Sequence, residues 1–237
     1  WTTAALTLPS EYYITSICEF GAYIAIAAAP LNNVGSSRVY LWDRNSSLTT
    51  VAANIDWGQG IIKVLEELEG YLVGISVAND SSRLKERVTF RAYDGSSTAK
   101  KFMELTPSSK TLLISKQKVE NRVFFLMKTT INGAVREGVW SVGRVNGRFT
   151  VAHESTPNND TALTNGVLRG FRIVGDYFFI AFTTNAGTHT VSKTDNASSY
   201  SATSIWESTI FNAGDSSLKK DLIGISISGD PLTASGQ

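Results

Sequence analysis

Cysteine, histidine and methionine are scarce in this chain of 237 residues, which has one cysteine, two histidines and two methionines. The single cysteine, Cys18, excludes an internal disulfide, and its place on a predicted strand indicates a buried, unreactive thiol. The two histidines, His153 and His189, are too few and too far apart for a zinc site. We therefore expect the chain to bind neither a metal nor a cofactor through these residues.

Charge and long apolar runs are also scarce. Charged residues make up 18% of the chain and the formal net charge is +1. No basic excess is present to neutralise a phosphate backbone, so we expect no nucleic-acid partner. The longest apolar stretch, residues 23–31, is far shorter than the roughly 20 residues that a membrane-spanning helix needs. We therefore expect no membrane span.

Four hairpin-like segments recur about fifty residues apart. In each one a strand-like run reaches a tight turn and returns as an apolar run. The turns are predicted at Gly21, Gly70, Asn121 and Gly175. Glycine and asparagine tolerate the positive φ that a two-residue hairpin requires. The apolar runs are typical of strands buried on both faces, and a strand repeat of this length predicts a β-propeller blade.

A second hairpin follows each of these turns, most clearly where Asp94-Gly95 and Asn146-Gly147 separate strand-like runs. Helical periodicity is nearly absent, and residues 61–68, which have a helix-like composition, occupy a first-strand position and are predicted as strand. The fold class is therefore all-β: a β-propeller of four-stranded antiparallel blades, four of them recognisable and able to be part of a larger ring. We expect the most buried positions to include Ile24, Ile26, Leu72, Val73, Phe124, Phe125, Phe178 and Phe179.

The repeats divide the chain into a propeller at residues 1–212 and a tail at residues 213–237. Residues 1–9 are predicted to form the outer strand of a preceding or closing blade. The tail is either a closing strand or an exit into a following β-sandwich domain, and both alternatives remain open. Because the chain begins at Trp1 and not at methionine, we expect it to be a piece of a longer polypeptide.

Acidic residues near the first hairpins are the main candidates for enzymatic chemistry. A glycosidase needs two carboxylates about 5 to 10 Å apart across the scissile bond. The candidates are Glu19, Glu66, Glu67, Glu69 and Glu120, of which the last two are expected to face solvent at turns. Neither a sialidase Asp-box nor a Gly-x-Ser-x-Gly nucleophile turn occurs. We therefore predict no catalytic residues and no enzymatic activity.

Aromatic residues near predicted loops are the candidates for surface binding. Most of the tryptophans and tyrosines lie within strand runs, where they fill space between blades. The candidates nearer loops, which could stack on sugar rings, are Tyr12, Tyr13, Trp57 and Tyr200. Oxygen-rich residues at 158–160 and at Asp80 could contact calcium, but turn formation explains them equally well.

Several segments of the chain resemble segments of a known protein family. These segments are Val39–Asp43, Asp56–Gly58 with Val64 and Leu65, Glu69–Ile75, Glu137–Arg144 and Glu207–Gly214. They are similar to β-propeller regions of virion proteins from tailed phages. The tail, Lys219–Ile225 with Asp230–Leu232, resembles the segment where such proteins pass from the propeller into a β-sandwich module. The resemblance spans most of the chain, and its motifs mark blades, turns and a domain exit.

This resemblance implies a virion component such as a tail, fibre or capsid-surface protein. We expect a non-enzymatic structural protein at the particle surface, where its propeller serves virion assembly or host-surface adhesion. Its partners would be other virion proteins or copies of itself, and a host-surface glycan is a further candidate. The alternative is an extracellular propeller that binds carbohydrate or hydrolyses glycosides. An intracellular interaction scaffold is disfavoured because Trp42-Asp43 occurs without the Gly-His partner of WD40 repeats.

Overall fold

The computed structural model describes residues 6–32, 35–45, 51–80, 85–96, 98–107, 111–131, 134–155, 167–184 and 186–194. These residues form strands and turns and no helix, and all of them belong to one unit, residues 1–194. The strands are β1 (Tyr12–Phe20), β2 (Tyr23–Pro30), β3 (Ser36–Trp42), β4 (Ala53–Gln59), β5 (Ile61–Leu68), β6 (Tyr71–Asp80), β7 (Lys85–Tyr93), β8 (Lys100–Leu105), β9 (Leu112–Val119), β10 (Arg122–Ile131), β11 (Ala134–Val145), β12 (Arg148–Ser155), β13 (Val167–Val174), β14 (Tyr177–Thr183) and β15 (His189–Lys193).

The strands form four antiparallel sheets in which sequence neighbours are also hydrogen-bonded neighbours. Sheet 1 is β1-β2-β3-β4, sheet 2 is β5-β6-β7-β8, and sheet 3 is β9-β10-β11-β12. Sheet 4 has the order β13-β14-β15 in the described part of the chain. This arrangement confirms the predicted all-β class and its antiparallel repeat. It also confirms that residues 61–68 are a strand.

Each sheet begins with a hairpin whose turn has two residues. The turns are Gly21-Ala22, Glu69-Gly70, Glu120-Asn121 and Gly175-Asp176. The first residue of every turn has positive φ, at 56°, 51°, 49° and 57° in chain order. In the second and third turns this residue is Glu69 and Glu120, although the sequence pattern had pointed to Gly70 and Asn121. A side chain with a Cβ is uncommon in this conformation, so the turn holds Glu120 against its own preference.

A β-bulge interrupts the first strand of every sheet. The extra residues are Thr15, Lys63, Ser115 and Arg169, and each lies five or six residues before the hairpin turn. A bulge bends its strand and increases the local twist. Because the four residues share no side-chain type, the sequence gives little sign of this feature. The common position of the bulge nevertheless identifies the four sheets as copies of one structural unit.

The sheets pack against one another in chain order. The first strands lie side by side, β1 against β5, β5 against β9, and β9 against β13. One apolar cluster fills the space between sheets 1 and 2, a second fills that between sheets 2 and 3, and a third joins sheets 3 and 4. The contacts of the described residues do not close a ring.

Burial follows the predicted positions closely in the first three sheets. Five of the eight positions are buried, namely Ile26, Leu72, Val73, Phe124 and Phe125. Ile24, Phe178 and Phe179 are only partly buried. On β14 the buried residues are instead Ile180 and Phe182, which face the cluster shared with sheet 3. Phe179 alternates to the opposite face of β14, against which no described sheet packs.

Two predictions about the ends of the chain fall mainly outside the described residues. Of the predicted outer strand at residues 1–9, only residues 6–9 are described, and they have no strand pairing. Leu6 and Leu8 pack against the apolar cluster around Ile26 and Tyr40. The boundary at residue 212 and the tail at 213–237 lie outside the described part. In the part that is described, no helix is long and apolar enough to cross a membrane.

Candidate functional site

Carboxylates on the first strand of sheet 2 pair with lysines on the first strand of sheet 3. Glu66 Oε2 lies 2.8 Å from Lys116 Nζ, and Glu67 Oε2 lies 2.5 Å from Lys118 Nζ. Each pair has one member on β5 and one on β9, and these strands lie side by side. Glu66 and Glu67, which were candidates for glycosidase chemistry, therefore form ion pairs that link sheet 2 to sheet 3.

The remaining acidic candidates are also accounted for. Glu69 Oε2 lies 3.3 Å from Arg144 Nη1, and the Arg144 guanidinium stacks 4.7 Å from the centre of the Tyr71 ring. This contact ties the first turn of sheet 2 to β11 of sheet 3. Glu19 is highly exposed and pairs at 3.0 Å with Arg44, which lies two residues after β3. Glu120 is exposed at its turn, as predicted.

Lys116 joins three sheets through its ammonium group. Besides Glu66, its Nζ donates hydrogen bonds to the Ile17 carbonyl oxygen on β1, at 3.2 Å, and to the Leu65 carbonyl oxygen on β5. Its side chain is 25% exposed, so these bonds are partly shielded from water. One cation therefore links β1, β5 and β9 at the place where the first strands meet.

The pKa values of nearby groups follow from these contacts. The hydrogen bond from Lys118, helped by one from the Gly70 backbone N–H at 2.6 Å, lowers the pKa of Glu67. A catalytic acid would need the opposite shift. Cys18 is buried beside this cluster, and burial raises the pKa of its thiol from 9.0 to about 12. Cys18 is therefore a protonated thiol at neutral pH, as the sequence predicts.

The two histidines lie in different sheets and have local partners. His153 on β12 places its Nε2 3.0 Å from the Glu137 carbonyl oxygen, which requires the proton on Nε2. Its ring packs 4.9 Å from that of Trp140. His189 on β15 places its Nδ1 3.1 Å from Thr183 Oγ1. Within the described ranges no three His, Cys, Asp or Glu side chains group as metal ligands would. Residues 158–160 lie outside those ranges.

The aromatic candidates for surface binding separate into different environments. Tyr12 and Tyr13 are neighbours on β1 and are partly buried. The Tyr12 hydroxyl accepts a hydrogen bond from Arg38 Nε at 3.1 Å, and its ring meets that of Tyr40 edge-on at 6.4 Å. Much of the Tyr12 ring is therefore used in packing. Tyr200 lies outside the described residues.

Trp57 was predicted as a surface residue, and this prediction is wrong. Its side chain is fully buried in the cluster between sheets 1 and 2. Trp57 lies at a bulge of β4, and a bulge re-aims a side chain. The indole covers Gly74 of sheet 2 so closely that a Cβ on Gly74 would lie 2.6 Å from Trp57 Cζ2. The glycines that follow Trp57 also lie against sheet 2, where a Cβ on Gly58 would meet Arg91 and a Cβ on Gly60 would meet the backbone at Val77 and Ala78.

A polar cleft that no sequence motif had indicated lies between sheets 1 and 2. The cleft has a volume of about 110 Å³ and is lined by Gln59, Ala78, Arg87, Thr89, Arg91 and Glu104. Three of these residues alternate along β7 as Arg87-x-Thr89-x-Arg91, which places them on one face of the strand. The sequence signal for this cleft was that polar residues alternate with apolar residues along β7, so that one face of the strand is polar and the other is buried.

No model of a known protein family matches this chain, and no curated protein matches it.

Proposed function

We propose that this chain is a non-enzymatic structural module of a tailed-phage virion, in which the four sheets are consecutive blades of a β-propeller. The blade interpretation is supported by the meander order of each sheet, the adjacent first strands and the shared bulge. Blades of four antiparallel strands around a common axis have this order. Residues beyond those described, or a neighbouring polypeptide, would complete the ring.

The ion pairs between first strands are the observation on which the non-enzymatic role rests. First strands line the channel of a propeller, where a glycosidase would place its acid and its nucleophile. Here Glu66 and Glu67 are held by Lys116 and Lys118 of the next blade. The hydrogen bond from Lys118 lowers the pKa of Glu67, which is therefore a poor proton donor. The same contacts stiffen a scaffold whose task is to present loops.

The assignment to a virion rests on the sequence resemblance, whose motifs coincide with structural positions. Val39–Asp43 covers the end of β3, and Glu69–Ile75 covers a first turn with the strand that follows it. Polar loops between blades suit recognition by shape and hydrogen bonds. The expected partners are other virion proteins, further copies of this chain or a host-surface glycan.

Mass spectrometry of purified particles tests the virion assignment. Peptides of this chain should co-purify with particles through a density gradient, at a stoichiometry of several copies per particle. Antibodies against the chain should label one fixed location on intact particles in electron microscopy. If the peptides stay at the top of the gradient with free proteins, the chain is not a virion component.

The alternative is an extracellular glycoside-hydrolysing propeller, and a second assay addresses it. The chain would be incubated with a panel of aryl glycosides, alongside the double variant Glu66→Gln with Glu67→Gln. Our proposal predicts the same background rate for both proteins. Turnover that is lost in the double variant, with the fold retained, would replace the structural role with an enzymatic one.

A further inference from the structure

The two faces of β7 are used very differently. Val88, Phe90 and Ala92 point into the apolar cluster shared by sheets 2 and 3. The alternate residues Arg87, Thr89 and Arg91 therefore point toward sheet 1. Thr89 is buried and forms the floor of the cleft. Arginine is rarely placed between packed layers unless its charge has a partner.

The described residues leave both arginines short of partners. Arg87 Nη2 donates to Gln59 Oε1 at 2.9 Å, whereas Arg91 has no hydrogen-bond partner among the described side chains. The Nε atoms of both residues are buried and have no hydrogen-bond partner among the residues that the structure describes. Neither arginine pairs with a described carboxylate. A guanidinium that is partly buried and has no counter-charge is unfavourable, so this arrangement favours an anionic ligand.

A glycine in the backbone of sheet 1 leaves room for the Arg91 guanidinium. Gly58 has φ of 80°, and a Cβ there would lie 2.8 Å from Arg91 Nη2. Any larger residue at this position would push the guanidinium away from the cleft wall. The bulge that buries Trp57 thus also creates the space that Arg91 occupies.

The charge in the cleft is positive, and the remaining groups are suited to hydroxyls. Glu104 lies opposite Thr89 on β8, and its carboxylate is paired with Lys101 at 3.1 Å. Two arginine charges therefore remain. A carboxylate in the same cleft would repel a bare inorganic anion but would accept hydrogen bonds from hydroxyl groups. Gln59 and Thr89 add further polar groups.

We propose that this cleft binds the carboxylate of a hydroxylated sugar acid, with Arg87 and Arg91 holding the carboxylate. Guanidinium groups match a carboxylate with paired, charge-assisted hydrogen bonds. Glu104, Gln59 and Thr89 would contact the ring hydroxyls. The site stands on the geometry of the cleft and does not depend on whether the chain is a virion component.

An NMR titration of the isotope-labelled chain with sodium glucuronate tests this site. Saturable shifts should appear in the backbone amides of residues 59, 87, 89 and 91. Arg91→Lys keeps the charge but loses the planar fork, and it should weaken binding by roughly tenfold. The matched control Arg148→Lys changes an exposed arginine on β12 and should leave the affinity unchanged. If Arg91→Lys fails to fold, Arg87→Lys gives the same test.

Two further ligands make the outcome decisive. Glucose has the hydroxyls without the carboxylate, and it should produce no saturable shift at these residues. Sulfate has the charge without the hydroxyls, and it should bind more weakly than glucuronate. Three results would overturn the proposal: no saturable response to glucuronate, an affinity that Arg91→Lys leaves unchanged, or sulfate binding as tight as glucuronate binding.

Discussion

At the scale of single residues, burial decides what each reactive or bulky side chain can do. Cys18 is the only thiol in the chain, and it lies at the packed boundary between sheets 1 and 2. Trp57 fills the same boundary and rests on a glycine of the neighbouring sheet. Both side chains therefore contribute to the packing between sheets 1 and 2, and the consequences of their burial can be measured.

The thiol of native Cys18 should react very slowly with disulfide reagents. Its pKa of about 12 instead of 9.0 lowers the thiolate fraction near neutral pH by roughly a thousandfold. Ellman's reagent near pH 8 should therefore modify the native chain at least a hundredfold more slowly than the urea-unfolded chain. Equal rates in the two states would show that Cys18 is exposed.

The same shift predicts how stability depends on pH. The unfolded chain ionises Cys18 above pH 9, while the native chain retains the proton until about pH 12. Stability from this group is therefore complete below pH 9 and is lost as the pH rises between these values. Between about pH 7 and pH 10 the wild type should lose about 1 kcal/mol more than Cys18→Ala in urea unfolding. Parallel losses in the two proteins would contradict the assignment.

Gly74→Ala should destabilise the fold through a steric clash. Its Cβ would lie 2.6 Å from the Trp57 indole, and overpacking of this kind costs roughly 1 to 3 kcal/mol. Gly170→Ala is the matched control, because it is also in a strand and a Cβ there would meet nothing within 4 Å. Thermal unfolding should show a clear loss for the first variant and almost none for the second. A similar effect for both would mean that the indole does not lie over Gly74.

At the scale of elements, each sheet is specified by a first hairpin that combines a strained turn with a bulge. The turn residues Gly21, Glu69, Glu120 and Gly175 all have positive φ. The bulge five or six residues earlier bends the first strand. Lysines and arginines of one sheet then reach the carboxylates of another.

Gly21→Ala should cost stability purely through backbone strain. The residue has φ of 56°, and a Cβ there would have nothing within 4 Å, so no clash contributes. We expect a loss of about 1 to 2 kcal/mol. Gly21→Asn should cost less, because asparagine tolerates this conformation better. Equal losses for alanine and asparagine in denaturant unfolding would refute a strain mechanism.

Lys116→Met should weaken the contact among sheets 1, 2 and 3. It removes the Glu66 ion pair and two hydrogen bonds to backbone carbonyls in a partly shielded location. We expect a loss of roughly 1 to 3 kcal/mol. Lys100→Met removes a highly exposed ion pair with Asp94 and should leave the stability almost unchanged. Losses of equal size in urea unfolding would show that Lys116 has no special structural role.

The elements also show how far the sequence could be interpreted. Turn chemistry is local, so glycine at Gly21, Gly70 and Gly175 located the hairpins correctly. The bulges at Thr15, Lys63, Ser115 and Arg169 depend on pairing between strands, and no residue type marks them. The surface prediction for Trp57 failed because a bulge turned it inward. The cleft at Arg87 and Arg91 is formed together with sheet 1, so it could not be predicted from the sequence of β7 alone.

At the scale of the whole molecule, one repeated unit is packed against its own copies. Apolar clusters fill each space between successive sheets, and ion pairs link the first strands of sheets 2 and 3. These contacts join the four sheets into one packed unit, with turns and loops between the strands. Such a body is well suited to presenting surface, and that is the role we propose for it in the virion.

A cryo-electron microscopy reconstruction of the particle that carries this chain tests the central claim most directly. The account predicts repeated copies at a fixed place in the particle, with β1, β5, β9 and β13 arranged around one axis and the Lys116 contacts facing it. Loops between blades should contact neighbouring proteins or face the host. Sheets that do not share an axis, or a chain found only as a free monomer outside the particle, would contradict the account.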